Sequence, residues 1–120
     1  VTRIELPFPV PLHACFTNVP GRGRVPTGRY KAWQNEALWM IKAQRVQPIK
    51  GEVSISVGLV APDKRARDAG NCDKAVCDVL VKAGIIEDDS NKYVRRLSYE
   101  WRADGPPCVV LIQEVSNDWR

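Results

Sequence analysis

The chain has 120 residues, 44% of them hydrophobic, and a net charge of +4. That length suits one domain, residues 1–120, able to bury well over half of its unfolded surface, and the apolar fraction excludes global disorder. No apolar run approaches the roughly 20 residues that span a bilayer, and VTRIELPFPVPL has neither the apolar core nor the cleavage site of a secretory signal, so a cytoplasmic setting without membrane contact is expected.

Residues 2–8, TRIELPF, alternate, with Ile4, Leu6 and Phe8 on one face, which predicts a strand. Pro7 suits an edge position. Residues 9–28 are punctuated by Pro9, Pro11, Pro20, Gly21, Gly23, Pro26 and Gly28 and read as a long mobile loop. Arg22, Arg24, Arg29 and Lys31 lie in it or just after it, so the loop is expected to contact substrate. Residues 30–46 carry Trp33, Ala37, Met40 and Ile41 at helical spacing, with Trp39 off that stripe and free for a second interface. Residues 52–60 alternate as a strand, with Val53, Ile55, Val57 and Leu59 on one face. A second helix is predicted over 71–83 from Cys72, Ala75, Val76, Val79, Leu80 and Ala83, with Gly84 as its stop. Residues 93–101 and 108–115 complete the series as two strands joined through ADGPP, a connection that suits a hairpin. The order β-α-β-α-β-β predicts an α/β (mixed α+β) fold, a small mixed sheet with two helices packed against it.

The four cysteines, Cys15, Cys72, Cys77 and Cys108, contain no CxxC pair, and the single His13 stands two residues from Cys15. That spacing argues against zinc and for reduced thiols in or near the core.

Charge concentrates around residues 67–90, RDAGNCDKAVCDVLVKAGIIEDDS. Lys64, Arg65 and Arg67 lead into this acid-rich segment, and Lys92, Arg95 and Arg96 follow it. Basic clusters flanking an acidic segment suit a polyanion held near a metal ion; scattered solvated charge is the plainer alternative. At about 100° per residue, Asn71, Lys74, Asp78 and Lys82 share one helix flank while Asp73 falls on the other. The acids therefore form no single helical face. Asp68 precedes the helix and Asp88 and Asp89 follow it, and a helix of 13 residues is about 20 Å long. A metal site needs residues 84–90 to run back along the helix, or a symmetric partner chain. Ordinary roles compete: Asp68 as a helix cap, EDDS as a solvated turn, Lys74 and Asp78 as a surface ion pair.

Asp68-Ala69-Gly70-Asn71-Cys72-Asp73-Lys74, then Asp78-Val79-Leu80, then Ala83-Gly84-Ile85-Ile86-Glu87-Asp88-Asp89 resembles the RusA family of Holliday junction resolvases. That family carries D-x-D-N-x-x-K, D-x-L and a-G-x-x-x-D-D in this order. Lys64-Arg65-Ala66-Arg67 and the L-P-F-P of residues 6–9 match as well, and the element order agrees along nearly the whole chain. The resemblance implies a homodimeric endonuclease, common in phages and prophages, that makes paired symmetric nicks in four-way junction DNA with Mg²⁺ or Mn²⁺ and no small-molecule cofactor. It implies metal-binding carboxylates at Asp68 and Asp89, with Asp88 adjoining, and a catalytic lysine at Lys74. Asn71 and Asp73 would support the site. Arg67 would contact DNA backbone, as would the basic residues Arg22, Arg24, Arg29, Lys31, Lys64 and Arg65. One position departs from the pattern. Gly70 stands where the family has its second metal carboxylate. Asp73 replaces it, or Asp88 completes the site, or the protein binds junctions without cutting them. A small RNA-binding or interaction domain is the remaining class, disfavoured by the lack of an aromatic run on one strand face.

Overall fold

A computed structural model describes residues 1–115. Six strands and two α-helices form: β1 (Thr2–Leu6), β2 (Phe16–Val19), β3 (Gly23–Pro26), α1 (Gly28–Ala43), β4 (Val53–Leu59), α2 (Asp73–Lys82), β5 (Val94–Trp101) and β6 (Cys108–Glu114). Four of the strands make a mixed sheet in the order β1-β6-β4-β5, and β2 and β3 pair separately. The α+β class and the mixed sheet expected from the sequence are both present.

Two expectations need correction. The loop read over 9–28 is a built element: a 3₁₀ turn over Leu12–Ala14, then an antiparallel hairpin pairing Phe16 with Pro26 and Val19 with Gly23. Gly21 and Gly23 carry φ +77 and +74, the left-handed values a tight turn requires, so the glycines read as loop punctuation form a hairpin tip. The last two strands do not pair with each other. β5 runs parallel to β4, and β6 runs antiparallel on β4's other side. The β4-α2-β5 crossover takes one side of β4 and leaves the other for β6. Residues 102–107 then pass the end of β4, where Arg102 donates to the Leu59 carbonyl at 2.7 Å and Val60 donates to Pro107 at 3.0 Å.

β1 is an edge strand, as Pro7 just beyond it suggested, and Gln44 covers its outer side. The Gln44 amide donates to the Glu5 carbonyl and accepts from the Glu5 N–H, both at 2.8 Å. This side chain occupies the Glu5 backbone groups that an added strand would otherwise use.

One sheet face is buried under the helices. Ile4 and Leu6 of β1, Val53, Ile55, Val57 and Leu59 of β4, and Cys108, Val110 and Ile112 of β6 meet Tyr30, Trp33, Ala37 and Ile41 of α1. From α2 come Ala75, Val76, Val79 and Leu80. Each large aliphatic buried in this way contributes about 1.5–3 kcal/mol. All four cysteines are buried free thiols, as their spacing implied. Trp39 is 68% exposed, consistent with its position off the α1 stripe.

Both helices start on a side-chain oxygen or on a tightened turn. Thr27 accepts from the Tyr30 N–H at 3.1 Å while its hydroxyl donates to the Ala14 carbonyl at 2.7 Å, so α1 begins two residues earlier than its apolar stripe suggests. The second helix is preceded by a 3₁₀ turn over Ala69–Cys72, capped by Asp68. Its end is a Schellman closure: Gly84 donates to Val81 at 2.9 Å and Ile85 to Leu80 at 3.0 Å, with Gly84 at φ +74. Among the described residues no helix is long and apolar enough to cross a membrane.

Candidate active site

The α2 N-terminus and the segment leading into it hold most of the motif. Asp68 Oδ1 accepts the Gly70 N–H at 2.9 Å, so the predicted capping role is real. The Asp68 side chain is exposed, and among the described residues its Oδ2 takes no hydrogen bond. Beside it lies a cavity of about 510 Å³ lined by Asp68 and Asn71, by Arg29, Arg65 and Arg67, and by Phe8 and Pro62 among others.

The arginines are held by a residue the sequence reading passed over. Asp63 accepts from Arg67 at 2.7 and 2.9 Å and from the Arg65 backbone and guanidinium at 2.9–3.3 Å. Arg67's hydrogen bonds, then Arg65's, hold the Asp63 carboxyl well below the usual carboxylate range. The signal was there in the spacing: an acid followed by arginines two and four residues later. Arg67 also places its guanidinium 5.8 Å from the Phe8 ring centroid, and Trp101 stacks on Phe8 at 6.2 Å.

Lys74 and Asp73 separate as the helical wheel requires. Lys74 Nζ lies 3.3 Å from Asp78 Oδ1, the expected ion pair, and the Tyr30 hydroxyl donates to Asp78 Oδ2 at 3.1 Å. Asp73 turns toward the sheet, where its Oδ1 accepts from the Tyr99 hydroxyl at 2.8 Å and from the Cys77 thiol at 3.2 Å. The sequence pairs Asp78 with Lys74, but only the tertiary contacts add Tyr30 to Asp78 and Tyr99 to Asp73.

The thiols record which charges stand near them. Cys15 is raised first by burial and then by Asp78, against the opposing pull of Arg29, Lys74 and Arg24. Cys72 is raised by burial, opposed by Arg67 and reinforced by Asp68. Burial pushes Cys77 up as well, reinforced by Asp73 and, less strongly, by Asp89. Residues 84–90 turn off the end of α2, where Ile85 donates to Leu80 at 3.0 Å and Glu87 accepts from the Gly51 N–H at 3.0 Å. Asp88 is half-buried and Asp89 exposed in that segment. Among the described residues no three His, Cys, Asp or Glu side chains come together as a metal-holding group.

The remaining basic residues are exposed and spread over several elements. Arg22 and Arg24 sit at the hairpin tip, Arg29 and Lys31 in the first turn of α1, and Lys64 in the approach to α2. Arg24 lies over the Phe16 ring at 4.3 Å. Arg29 and Arg65 share the cavity with Arg67.

A carboxylate beside an arginine-walled cavity, on an α+β scaffold, suits a hydrolase acting on phosphodiesters. The comparisons name it. A family model described as Endodeoxyribonuclease RusA matches residues 11–113. A crossover junction endodeoxyribonuclease RusA from Aquifex aeolicus (strain VF5) is 31% identical over 84 residues, which cover 69% of this chain and 67% of that protein. The chain belongs to the RusA family of endodeoxyribonucleases, and its class is that of the junction-resolving nucleases.

Proposed function

We propose that the chain is a divalent-metal-dependent nuclease that resolves four-way DNA junctions by paired, symmetric phosphodiester hydrolysis, working as a homodimer. The observation that carries this reading is the placement of Asp68: it lines the cavity that Arg29, Arg65 and Arg67 wall, and its cap uses only one of its two carboxylate oxygens. A two-fold pair of chains matches a substrate that needs two related cuts.

The donor set fits Mg²⁺ or Mn²⁺. The candidate ligands, Asp68 with Asp89 and Asp88, are hard carboxylate oxygens, and one or two of these with substrate phosphate is the usual Mg²⁺ arrangement. The thiols are buried and held as neutral –SH, so they do not compete. Bound there, the cation would supply an activated water and positive charge against the phosphoryl oxygens.

The protein's own groups do the rest. Arg67, held by Asp63 through Nη1 and Nη2, keeps its Nε–H and second Nη2–H to offer a phosphate. Lys74, steadied by Asp78, offers an ammonium to charge developing on the phosphate or leaving oxygen. Arg22, Arg24, Lys31 and Lys64 hold the DNA arms through phosphates without reading sequence. Of the two candidates for the carboxylate missing at Gly70, Asp73 is engaged by Tyr99 and Cys77 on the sheet side of α2, which favours Asp88, beside Asp89.

A binding-only protein is the second reading, and Gly70 favours it. Cleavage of a synthetic four-way junction by purified protein decides between them. Paired nicks in Mg²⁺ or Mn²⁺, lost in Asp68→Asn with junction binding retained, support the nuclease. Tight junction binding without product in either metal supports the second reading.

A further inference from the structure

We propose that the cavity beside Asp68 is a nucleobase subsite: it takes one base unstacked from the branch point of the DNA, with that nucleotide's phosphate on the surrounding arginines. This rests on the junction-resolving reading above and adds a means of recognising the branch.

The lining combines apolar, cationic and acidic groups, the acids being Asp63, bound by Arg65 and Arg67, and Asp68 at one edge. Phe8, Pro11 and Pro62 supply apolar surface, while Arg29, Arg65 and Arg67 supply cationic planes. Duplex backbone offers a protein phosphates and sugars, and cations alone suffice to hold it. An aromatic wall beside guanidinium planes suits a base splayed out of its stack. At about 510 Å³ the cavity lies in the range of small-ligand sites, roughly 300–1,000 Å³, and has room for a nucleotide. The Asn71 side chain, also in the lining, offers a donor and an acceptor to a base edge.

The wall is built before any DNA arrives. Trp101 backs the Phe8 ring with the two planes 21° apart, and Arg67 stands within cation–π range of it. Asp63 pins that arginine through two oxygens, leaving its side chain only 20% exposed. Trp101 comes from the end of β5, Phe8 from just beyond β1, and Arg67 from the approach to α2. Three separate segments therefore converge on the ring.

The site supplies a means of selecting a branch over duplex. Extruding a base costs a few kcal/mol in duplex DNA and least where pairing or stacking is already broken, as at a branch point. A duplex would meet that cost in full. Because the cavity adjoins Asp68, the captured base would also set which phosphate reaches the carboxylate.

The test pairs changes in the DNA with changes in the protein. Junctions carrying a single abasic nucleotide at each branch-flanking position are bound in EDTA by the unmodified protein and by Phe8→Leu. One position is expected to weaken binding by the unmodified protein by about tenfold, the scale of one base–aromatic stack. Phe8→Leu should bind the intact junction about tenfold more weakly, should lose no more at that abasic position, and should bind duplex unchanged. Arg67→Lys, which keeps the charge and loses the plane, should also blunt the abasic effect. A protein that prefers the junction over duplex yet tolerates every base removal overturns the base subsite alone. Absence of any junction preference overturns the junction reading and this one together. Should Phe8→Leu fail to fold, the abasic series on the unmodified protein still decides.

Discussion

Gly70 is the position at which the chain departs from the family's carboxylate pattern. Its φ lies outside the left-handed region, so the backbone does not require glycine. A Cβ added there would stand 3.3 Å from Asp68 Oδ1, tight but against the end of a movable side chain. Gly70→Asp should therefore fold and bring a second carboxylate to Asp68. We expect Mn²⁺ affinity, followed by titration calorimetry, and cutting rate to rise by about tenfold, the equivalent of 1.4 kcal/mol. An unchanged affinity would mean that the added carboxylate does not reach the metal. The thiols give a second prediction at this scale. Burial raises Cys77 and Cys108 above the ordinary thiol value, Cys108 to about 12. A pKa raised in the folded state contributes stability that is whole below the unfolded value and lost as pH climbs through the folded one. The melting temperature should hold up to the ordinary thiol pKa of about 8.5 and then fall toward pH 12. Alkylation at neutral pH should leave all four cysteines unmodified until denaturant is added.

Among elements, β4 carries the most structure. It is central in the sheet, flanked by β5 and β6, with Ile55 fully buried at its middle. Ile55→Ala should cost about 2–5 kcal/mol in urea unfolding, because the cavity left there adds to the lost transfer energy. α2 was readable almost to the residue, since its apolar stripe and Gly84 stop are local patterns. Its start was not. The sequence places it at 71, but the chain tightens into a 3₁₀ turn over Ala69–Cys72 so that Asp68 can cap it. The hairpin of β2 and β3 was hidden for a related reason. Its strands are four residues each, too short for alternation to stand out, and its closure comes from distant groups: Thr27 donates from its backbone to Cys15 at 2.9 Å.

At the scale of the whole molecule, Arg29, Arg65 and Arg67 line one cavity, and Arg24 stands in the hairpin that leads into α1. DNA binding should therefore weaken steeply with salt. Replacing Arg24 by Ala should reduce the slope of log K against log salt by about 1 and leave the preference for junction over duplex intact. An unchanged slope in a fluorescence titration would remove Arg24 from the interface.

The alternation of β4, the stripe and stop of α2, the isolated cysteines and the acid–lysine spacing of residues 68–89 were legible because each is a pattern of neighbours along the chain. That spacing was also enough to point to the family. The sequence could not place β6 between β1 and β4, since strand order depends on which side of β4 the crossover leaves open. Nor could it reveal that Asp63 sets Arg67 against Phe8 or that Tyr99 holds Asp73. Those contacts join residues far apart in the chain, and they exist only once the sheet and α2 have fixed the distances between them.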